Sequence, residues 1–433
     1  MDRENHFMRA FKHIKPHHAK GERDIIAIIA CLIANGTNLG IYKMADNCDL
    51  NYDRMQGQLR NYIRPETLRE ANDIVSNAIA DLPIFKYWDI HEERLHASVD
   101  GQKFGTRLHT FMARYSSKYF GIGKGIVAYT LSANHIPVNA RVISANQHES
   151  HFLFDILQNN TSEVDPDWIS GDGHSINQIN FLLLDMIGKQ FAPHFKRVQL
   201  KSQTLYGFKG ANDYKDYLIK PTNKIDKKLI KSNWDDMLRV LVSILLGEVS
   251  QHIIVSKLSS YKHKNKIKLA LWELDKIIMS KYLLRYIDDP IIRQNVRRAL
   301  NRGEAYHQLR RAIANVNGQK FRGASPKELE IWNDSARLLA NCIIYYNAKM
   351  LSGLFTQLQA TMSETEIAEL LAHISPIAWL HVNLAGHYEF GEKRPEVDIN
   401  RLVTRLNIDT SKQEVASFMP PNTPDSQFSS LSG

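Results

Sequence analysis

The hydrophobic pattern of the chain changes its period twice, and this change constrains the fold more than any other feature of the sequence. Apolar residues recur at helical spacing from residue 22 to about residue 85. From about residue 88 they form short β-rich runs, and from about residue 225 they return to helical spacing. A period of 3.6 residues predicts helices that bury one face, whereas alternation predicts strands. The pattern therefore predicts a strand-containing centre between two helical regions.

The central segment predicts a mixed sheet. One β-rich run ends near Asp100-Gly101, two more surround the turn-like Ala133-Asn134-His135, and a fourth ends at Gly171-Asp172-Gly173. The run KRVQL, residues 196–200, predicts a fifth short strand, and amphipathic helices separate the later strands. The predicted order is strand, strand, strand, helix, strand, helix, strand. Three antiparallel strands at its start indicate a mixed α/β layer and exclude a Rossmann order.

Charge and cysteine content narrow the class of protein. The 55 Lys and Arg residues outnumber the 46 Asp and Glu residues, for a net charge of +9. This balance is typical of a protein with a polyanionic partner, and a soluble enzyme with a basic surface is the equally open alternative. Three cysteines without a CxxC pair indicate neither a disulfide framework nor a structural zinc site, and suit a reducing cytoplasm. The longest apolar run, Ile25–Ala34, has about half the roughly 20 residues that a membrane span needs, so no membrane partner is expected.

Asp100 and Asp172 are candidate functional carboxylates because each is predicted at the end of a strand. Asp100 is predicted at the end of the first strand and Asp172 at the end of the fourth, and these two strands can lie side by side. Convergent carboxylates without a nearby His or Cys suit a hard cation such as Mg²⁺. Ordinary turn formation is the alternative, because Asp-Gly is a common turn dipeptide.

Two other motifs do not indicate a site. Gly121–Gly125 lacks the spacing of a phosphate-binding loop, and HESH at 148–151 lacks the spacing of the zinc ligands in a zinc protease.

Several long motifs, in order, resemble a known family. They are SVDGQKF, ARYSSKYFGIGKGIVAYT, SGDGHSIN, KQFAPHFKRV, LNRGEAYHQLRRAI and ISPIAWLHVNLAGHYEF. From about residue 22 to about residue 390 the chain resembles the C-terminal catalytic half of the Tn-three family transposases. These are replicative, cointegrate-forming DDE enzymes of bacterial transposons.

The resemblance implies a site and a reaction. The family's three acids match Asp100, Asp172 and Glu304, which would hold two Mg²⁺ ions, with Mn²⁺ as a substitute. The implied activity is cleavage at the 3′ end of a transposon followed by strand transfer into target DNA. The implied partner is double-stranded DNA, both transposon ends and target, bound by a homodimer or a higher assembly.

The resemblance also implies the fold class, an α/β protein with large helical content. An RNase H-like core would be preceded by a helical domain and interrupted by an all-helical insertion. The expected segments are an N-terminal helical region (1–87), the core strands and first helices (88–204), the helical insertion (205–295), and the glutamate-bearing helix with a C-terminal helical region (296–407). Residues 408–433 lie outside the resemblance, and their Ser- and Pro-rich composition predicts a disordered tail.

Further polar residues are weaker candidates for DNA contacts. They are Gln102, Arg114, Lys118, His174, Arg310 and Arg311. For Gln102, Lys118 and His174 the favoured alternative is turn and surface hydrogen bonding, and for Arg310 and Arg311 a solvated helix face is equally open. Tyr115 and Tyr119 could stack on bases, but packing in the core is the favoured interpretation. On the helix around Glu304, helical spacing places Glu304, Gln308 and Arg311 on one face, opposite an apolar stripe.

Alternatives to an active transposase stay open at the level of sequence. Family members are usually much longer and carry further DNA-binding regions, so a truncated form is expected. A catalytically incompetent DNA-binding or regulatory remnant is one alternative. An RNase H-like nuclease that cuts without strand transfer is the other.

Overall fold

The computed structural model describes most of the chain. The described residues are 2–18, 23–91, 94–108, 110–260, 265–383, 386–391 and 401–403. The predicted disordered tail, 408–433, lies outside them, as does part of the predicted C-terminal region. The chain divides into two units, residues 1–394 and 395–433, and the first carries every feature discussed below.

The N-terminal region is helical, as its periodicity predicts. Its helices are α1 (Asp2–Asn5), α2 (Ile25–Gly36), α3 (Ile41–Asp46), α4 (Tyr52–Tyr62) and α5 (Pro65–Ala80). The side chain of Asp24 accepts a hydrogen bond from the Ala27 amide and so caps α2. Proline at the first position of α5 is favourable because an amide there would lack an intrahelical partner.

A six-stranded mixed sheet follows. Its elements in chain order are β1 (His96–Gly105), β2 (Arg114–Tyr115), α6 (Ser117–Phe120), β3 (Lys124–Ala133), β4 (Ile136–Ser144), α7 (Leu153–Gln158), β5 (Trp168–Gly171), α8 (Asn180–Met186) and β6 (Gln190–Phe191). The strands lie in the order β2, β3, β1, β5, β6, with β4 also paired to β3. β1 is antiparallel to β3 and parallel to β5. The predicted antiparallel start, and the predicted neighbourhood of the first and fourth runs, are therefore confirmed.

Two local predictions for the sheet are wrong. β1 does not end at Asp100-Gly101 but continues to Gly105, because Gly101 pairs with Tyr129 inside the ladder instead of forming a turn. KRVQL is not a strand, since Val198–Ser202 forms α9. The edge position beside β5 is taken by β6. A run of five residues is too short to distinguish strand from helix by its period.

The next segment is mainly helical. Its elements are β7 (Tyr206–Gly207), β8 (Asn223–Lys224), α10 (Lys227–Ser232), α11 (Trp234–Leu245), α12 (Gln251–Ser260) and α13 (Lys266–Asp288). The prediction of an all-helical insertion is wrong in one respect, because β7 and β8 form a small parallel sheet. Asp275 of α13 accepts a hydrogen bond of 2.9 Å from the Leu182 amide of α8, which fastens this segment to the strand-bearing region.

Two long helices complete the core, followed by a shorter one. They are α14 (Pro290–Ile313), α15 (Pro326–Leu358) and α16 (Glu364–Ala372). α14 packs against β1, β3 and β5, whereas α15 packs against α2, α5 and β4 and so joins the N-terminal helices to the sheet. Within the part of the chain that the structure describes, no helix combines the length and the apolar character that crossing a bilayer would require.

Two glycines provide a matched test of this packing. A Cβ atom at Gly36 would lie 2.6 Å from Leu339 Cδ1 and 3.0 Å from the Ser335 carbonyl oxygen, whereas a Cβ at Gly57 would meet nothing within 4 Å. We expect Gly36→Ala to lower the free energy of unfolding by about 1–3 kcal/mol through overpacking of α2 on α15. Gly57→Ala should raise it by about 0.5–1 kcal/mol through better helix propensity. Urea unfolding measures the change in free energy of unfolding for each variant. Equal changes for Gly36→Ala and Gly57→Ala would contradict this packing.

Asp275 should make stability depend on pH. Burial raises the pKa of its carboxyl to about 7. A raised pKa favours the neutral form, so this contribution is present below about pH 4 and is lost as the pH rises through about 7. We therefore expect Asp275→Asn to become more stable relative to wild type between about pH 5 and pH 8, by on the order of 3 kcal/mol. Exposed Asp216, changed to Asn, is the control, and parallel pH curves for wild type and Asp275→Asn would contradict the prediction.

Candidate active site

Register between two neighbouring strands places Asp100 beside Asp172. Val99 of β1 is paired with Gly171 of β5, and each aspartate is the next residue of its chain segment. Asp100 Oδ1 accepts a hydrogen bond of 2.8 Å from the Gly101 amide. The sequence-predicted pair of carboxylates is therefore brought together at one point of the sheet, although Asp100 lies within its strand rather than at its end.

Local hydrogen bonds hold Asp172 in place. Its Oδ1 accepts from the amides of His174 at 2.9 Å and Ser175 at 3.2 Å, which caps the short 3₁₀ turn Gly173–Ser175. These bonds use one carboxylate oxygen and fix the direction of the other. The turn chemistry expected of Asp-Gly is thus present at this aspartate, in addition to its position beside Asp100.

Glu304 reaches the same place from α14. Close approach of this helix to β1 is possible because residue 303 is glycine, where a Cβ would lie 2.8 Å from Ser98 Oγ. Glu304 is on the exposed face of α14, with Gln308 and Arg311, as helical spacing predicts. Its side chain is 52% exposed, so the carboxylate is open to solvent or substrate.

His307 joins the two elements. Its buried Nδ1 lies 3.7 Å from Asp100 Oδ2 and 3.6 Å from Glu304 Oε2. The His307 carbonyl oxygen accepts a hydrogen bond of 2.9 Å from Gln102 Nε2. Among the described residues, Asp100, Glu304 and His307 form a group whose donor atoms all lie within 4.8 Å of one another and could hold a metal ion; Asp172 is not in that group.

Glu149 is a fourth acid that sequence reasoning missed. Its carboxylate lies against the backbone of Gly101, where a Cβ would come within 2.3 Å of Glu149 Cδ. Its Oε1 also accepts a hydrogen bond of 2.9 Å from Lys103 Nζ. The only sequence feature that marks Glu149 is the HESH run that contains it, and that run does not indicate that the glutamate lies beside β1. The structural role of Gly101 is therefore to make room for this side chain.

The electrostatics of the cluster follow from its burial and its charges. Burial is the main cause that raises the pKa of Asp100; the nearby Glu149 and Asp172 also raise it, while His307 and the Gly101 amide lower it. The interaction with His307 is the main cause that lowers the pKa of Glu304. Glu304 is therefore held ionised at neutral pH, beside an Asp100 that is less readily ionised. Such a cluster favours binding of a cation.

A cleft of about 210 Å³ opens at these residues. It is lined by Asp100, Lys103, Tyr119, Val127, Ala145, Asn146, Gln147, His148, Glu149, Asp172 and His174. Carboxylates, a lysine and an aromatic ring thus share one polar recess. Carboxylate oxygens are the ligands that Mg²⁺ and Mn²⁺ prefer, and the imidazole of His307 is a further donor.

Two of the residues predicted to contact DNA are buried instead. Arg310 is completely buried; it donates to Asn333 Oδ1 and its guanidinium lies 5.1 Å from the centre of the Trp332 ring. Gln102 is 3% exposed and is engaged with the His307 carbonyl. The prediction of a DNA contact is therefore wrong for Arg310 and Gln102 in this conformation, because both face the interface between α14, α15 and the sheet.

The other predicted residues are accessible to different extents. Arg311, Lys118 and His174 are exposed, whereas Arg114 is half-buried and donates to the carbonyl oxygens of Phe111 and Ala113. The favoured interpretation of Tyr115 and Tyr119 as core residues is wrong, since they are 56% and 45% exposed.

Comparisons with known proteins agree with this architecture. A family model described as "Tn3 transposase DDE domain" matches residues 1–388. The chain is 27% identical over 398 residues to the transposase for transposon Tn1546 of Enterococcus faecium, and 28% identical over 385 residues to that for Tn2501 of Escherichia coli. It is 26% identical over 426 residues to the transposase for transposon gamma-delta of Escherichia coli (strain K12).

These matches cover most of this chain and a minor part of each relative. They span 92%, 88% and 95% of this chain, but 39%, 38% and 41% of the three transposases. The chain therefore spans about two fifths of the length of the curated relatives that it matches.

The contact between Gly101 and Glu149 can be tested directly. We expect Gly101→Ala to lower the free energy of unfolding by about 1–3 kcal/mol, because the added methyl group displaces the Glu149 carboxylate from Lys103. In a Glu149→Ala background the same change should cost much less, since the space is then free. Gly173→Ala is the control, because a Cβ there meets nothing within 4 Å. Additive effects of the two substitutions in urea unfolding would show that the side chains do not meet.

Proposed function

Since the chain belongs to the Tn3 transposase DDE domain family, we propose that it cleaves DNA at a transposon 3′ end and transfers the freed end into target DNA. The observation that carries this proposal is that Asp100 lies near two acids from distant parts of the chain, Glu304 and Asp172. Asp100 and Glu304 face the same His307 nitrogen, and Asp172 shares the cleft of Asp100. These are the positions that match the family's acidic motifs, so we assign them as the catalytic residues.

We include an RNase H-like core in the proposal. Support comes from three antiparallel strands followed by two that extend the sheet in parallel, with one acid on β1 and another directly after β5. The mainly helical segment between β6 and α14 would be the insertion, and Glu304 returns to the sheet after it.

The donor set fits divalent metal ions. Asp100 and Glu304 supply hard oxygen atoms of the kind that Mg²⁺ or Mn²⁺ requires, with His307 as a nitrogen donor within 4.8 Å of both. Asp172, which lines the cleft with Asp100, would supply a further oxygen ligand. When bound, two such ions would offset negative charge on the phosphate oxygens and lower the pKa of a bound water. Without a cation, the ionised acids would repel a DNA phosphate. Binding of DNA at this site therefore requires a bound cation.

The proposed chemistry consists of two in-line displacements at phosphorus. In the first, water attacks the phosphodiester at the transposon end, the bond from phosphorus to the 3′ oxygen breaks, and that oxygen leaves as a 3′-hydroxyl. In the second, the 3′-hydroxyl attacks a target phosphodiester and displaces a target 3′-hydroxyl. Asp100, Asp172 and Glu304 orient the reacting groups, and no covalent link to the protein forms.

Double-stranded DNA is the proposed substrate, and the net charge of +9 is consistent with a polyanion. Pairing of two transposon ends requires two copies of the site, so we include a dimer assembled on DNA in the proposal.

Substitution of single acids tests the assignment. We expect Asp100→Asn, Asp172→Asn and Glu304→Gln each to lower the yield of joined product at least roughly 100-fold, because each removes negative charge from the site without a large change in shape. The assay uses pre-cut transposon ends, target plasmid and Mg²⁺. Exposed Asp216, which lies outside the cleft, is changed to Asn as the control.

The same assay separates the three functions. Joined product from wild type supports the transposase. Cut DNA without joining would indicate a nuclease, and binding without any cleavage would indicate a regulatory remnant. Wild-type yield from any one of the three variants would remove that residue from the site.

A further inference from the structure

The connection from β1 to β3 combines exposed aromatic rings with positive charge. We call residues 106–124 the aromatic–basic segment. It contains Arg107, Arg114, Lys118 and Lys124 and no Asp or Glu. A stretch with four basic residues and no acid favours a polyanion as its partner.

Its apolar side chains are exposed to an unusual extent. Phe111, Tyr115 and Tyr119 are 80%, 56% and 45% exposed, and Ile122 is 100% exposed. Exposed large apolar groups that lie close together in a soluble domain commonly mark a binding surface. The rings alternate with the basic residues along the chain, an arrangement suited to bases and phosphates in succession.

The segment has a defined conformation although its rings are exposed. Arg114 and Tyr115 form β2, which pairs with β3. Backbone hydrogen bonds of 2.7 Å join Arg107 N to Phe321 O and Phe321 N to Gly105 O. Phe120 packs over Gly125, where a Cβ would lie 2.2 Å from Phe120 Cζ. The exposed rings are therefore carried on an anchored backbone, which reduces the entropy lost on binding.

This surface is continuous with the acidic cleft. Tyr119 lines the cleft together with Asp100 and Asp172. The ammonium groups of Lys103 and Lys118 lie 4.7 Å and 5.0 Å from the centre of the Tyr119 ring. The segment and the acids therefore share one cleft through Tyr119.

We propose that the aromatic–basic segment binds unpaired nucleotides that flank the phosphate held at the acids. Phe111, Tyr115 and Tyr119 stack on the bases, and Lys118 and Lys124 contact the backbone phosphates. Stacking on a ring requires a free base face, which a paired and stacked duplex offers only at its ends. The inference rests on the proposed function, because it takes DNA to be the molecule at the acidic cleft.

The test compares binding of paired and unpaired DNA. Fluorescence anisotropy in Ca²⁺, a hard cation that takes the same oxygen ligands as Mg²⁺, measures the affinity for a forked duplex with an unpaired end and for a blunt duplex of the same sequence. A gel of the same samples checks that the DNA remains uncut. We expect wild type to prefer the fork. Tyr115→Ala should weaken fork binding about 5- to 150-fold, the range for loss of one stacked base, and change blunt-duplex binding less than about 3-fold.

Matched variants isolate stacking from other effects. Tyr115→Phe keeps the ring and should bind the fork within about 2-fold of wild type. Tyr217, which is 62% exposed and lies outside the segment, is changed to Ala as the control for an exposed tyrosine. A 2-aminopurine base placed in the unpaired arm should lose fluorescence with wild type and with Tyr115→Phe, but not with Tyr115→Ala.

Each contrary outcome overturns the inference. Equal affinity for fork and blunt duplex, or equal weakening of both by Tyr115→Ala, would show that the rings do not stack on bases. Loss of self-association in sedimentation by Tyr115→Ala, with fork binding unchanged, would make the surface a contact between copies of the chain.

Failure of this inference can be distinguished from failure of the proposed function. Strand joining by wild type with normal fork binding by Tyr115→Ala would reject the stacking surface alone. Fork binding that requires Tyr115, in a chain that joins no strands, would reject the transposase activity alone.

Discussion

The candidate site depends on one close approach, that of α14 to β1. Glycine at 303 lets the helix lie against Ser98, and Glu304, the next residue, is thereby brought near Asp100. The contact is stabilised at two further points along the helix. Gln102 of β1 donates to the His307 carbonyl, and the guanidinium of buried Arg310 lies 5.4 Å from the centre of the Phe104 ring of β1. A larger residue at 303 would separate helix and strand, and with them the two halves of the acidic group.

This approach concentrates negative charge in a small space. Lys103 compensates part of it and the interaction with His307 lowers the pKa of Asp100, yet that pKa is still raised, chiefly by burial and further by Glu149 and Asp172. A cluster of carboxylates with this much negative charge is stabilised by binding cations. The neighbouring aromatic–basic segment carries the opposite charge, so a polyanion can be bound beside a centre that would otherwise repel it.

Much of the fold could be predicted from periodicity, and the errors have physical causes. The hairpin of β3 and β4 and the long helices have patterns longer than one period, which is why they are visible in the sequence. KRVQL is too short to show a period. Arg310 looks like a surface residue by type, but hydrogen bonding to Asn333 and stacking on aromatic rings make its burial acceptable. Glu149 was missed because its contact with Gly101 joins residues that no local pattern relates.

By itself, the sequence determined the alternation of helical and strand-bearing regions, the acidic motifs and the family. Hydrophobic period and motif spacing depend only on residues that are close in sequence, so both can be recognised without the tertiary structure. Only the tertiary structure decided that β1 continues past Asp100, that His307 lies between Asp100 and Glu304, and that Tyr115 and Tyr119 face solvent. These features depend on which surfaces meet across long separations in the chain, and that outcome is set by packing of the whole unit rather than by any one segment.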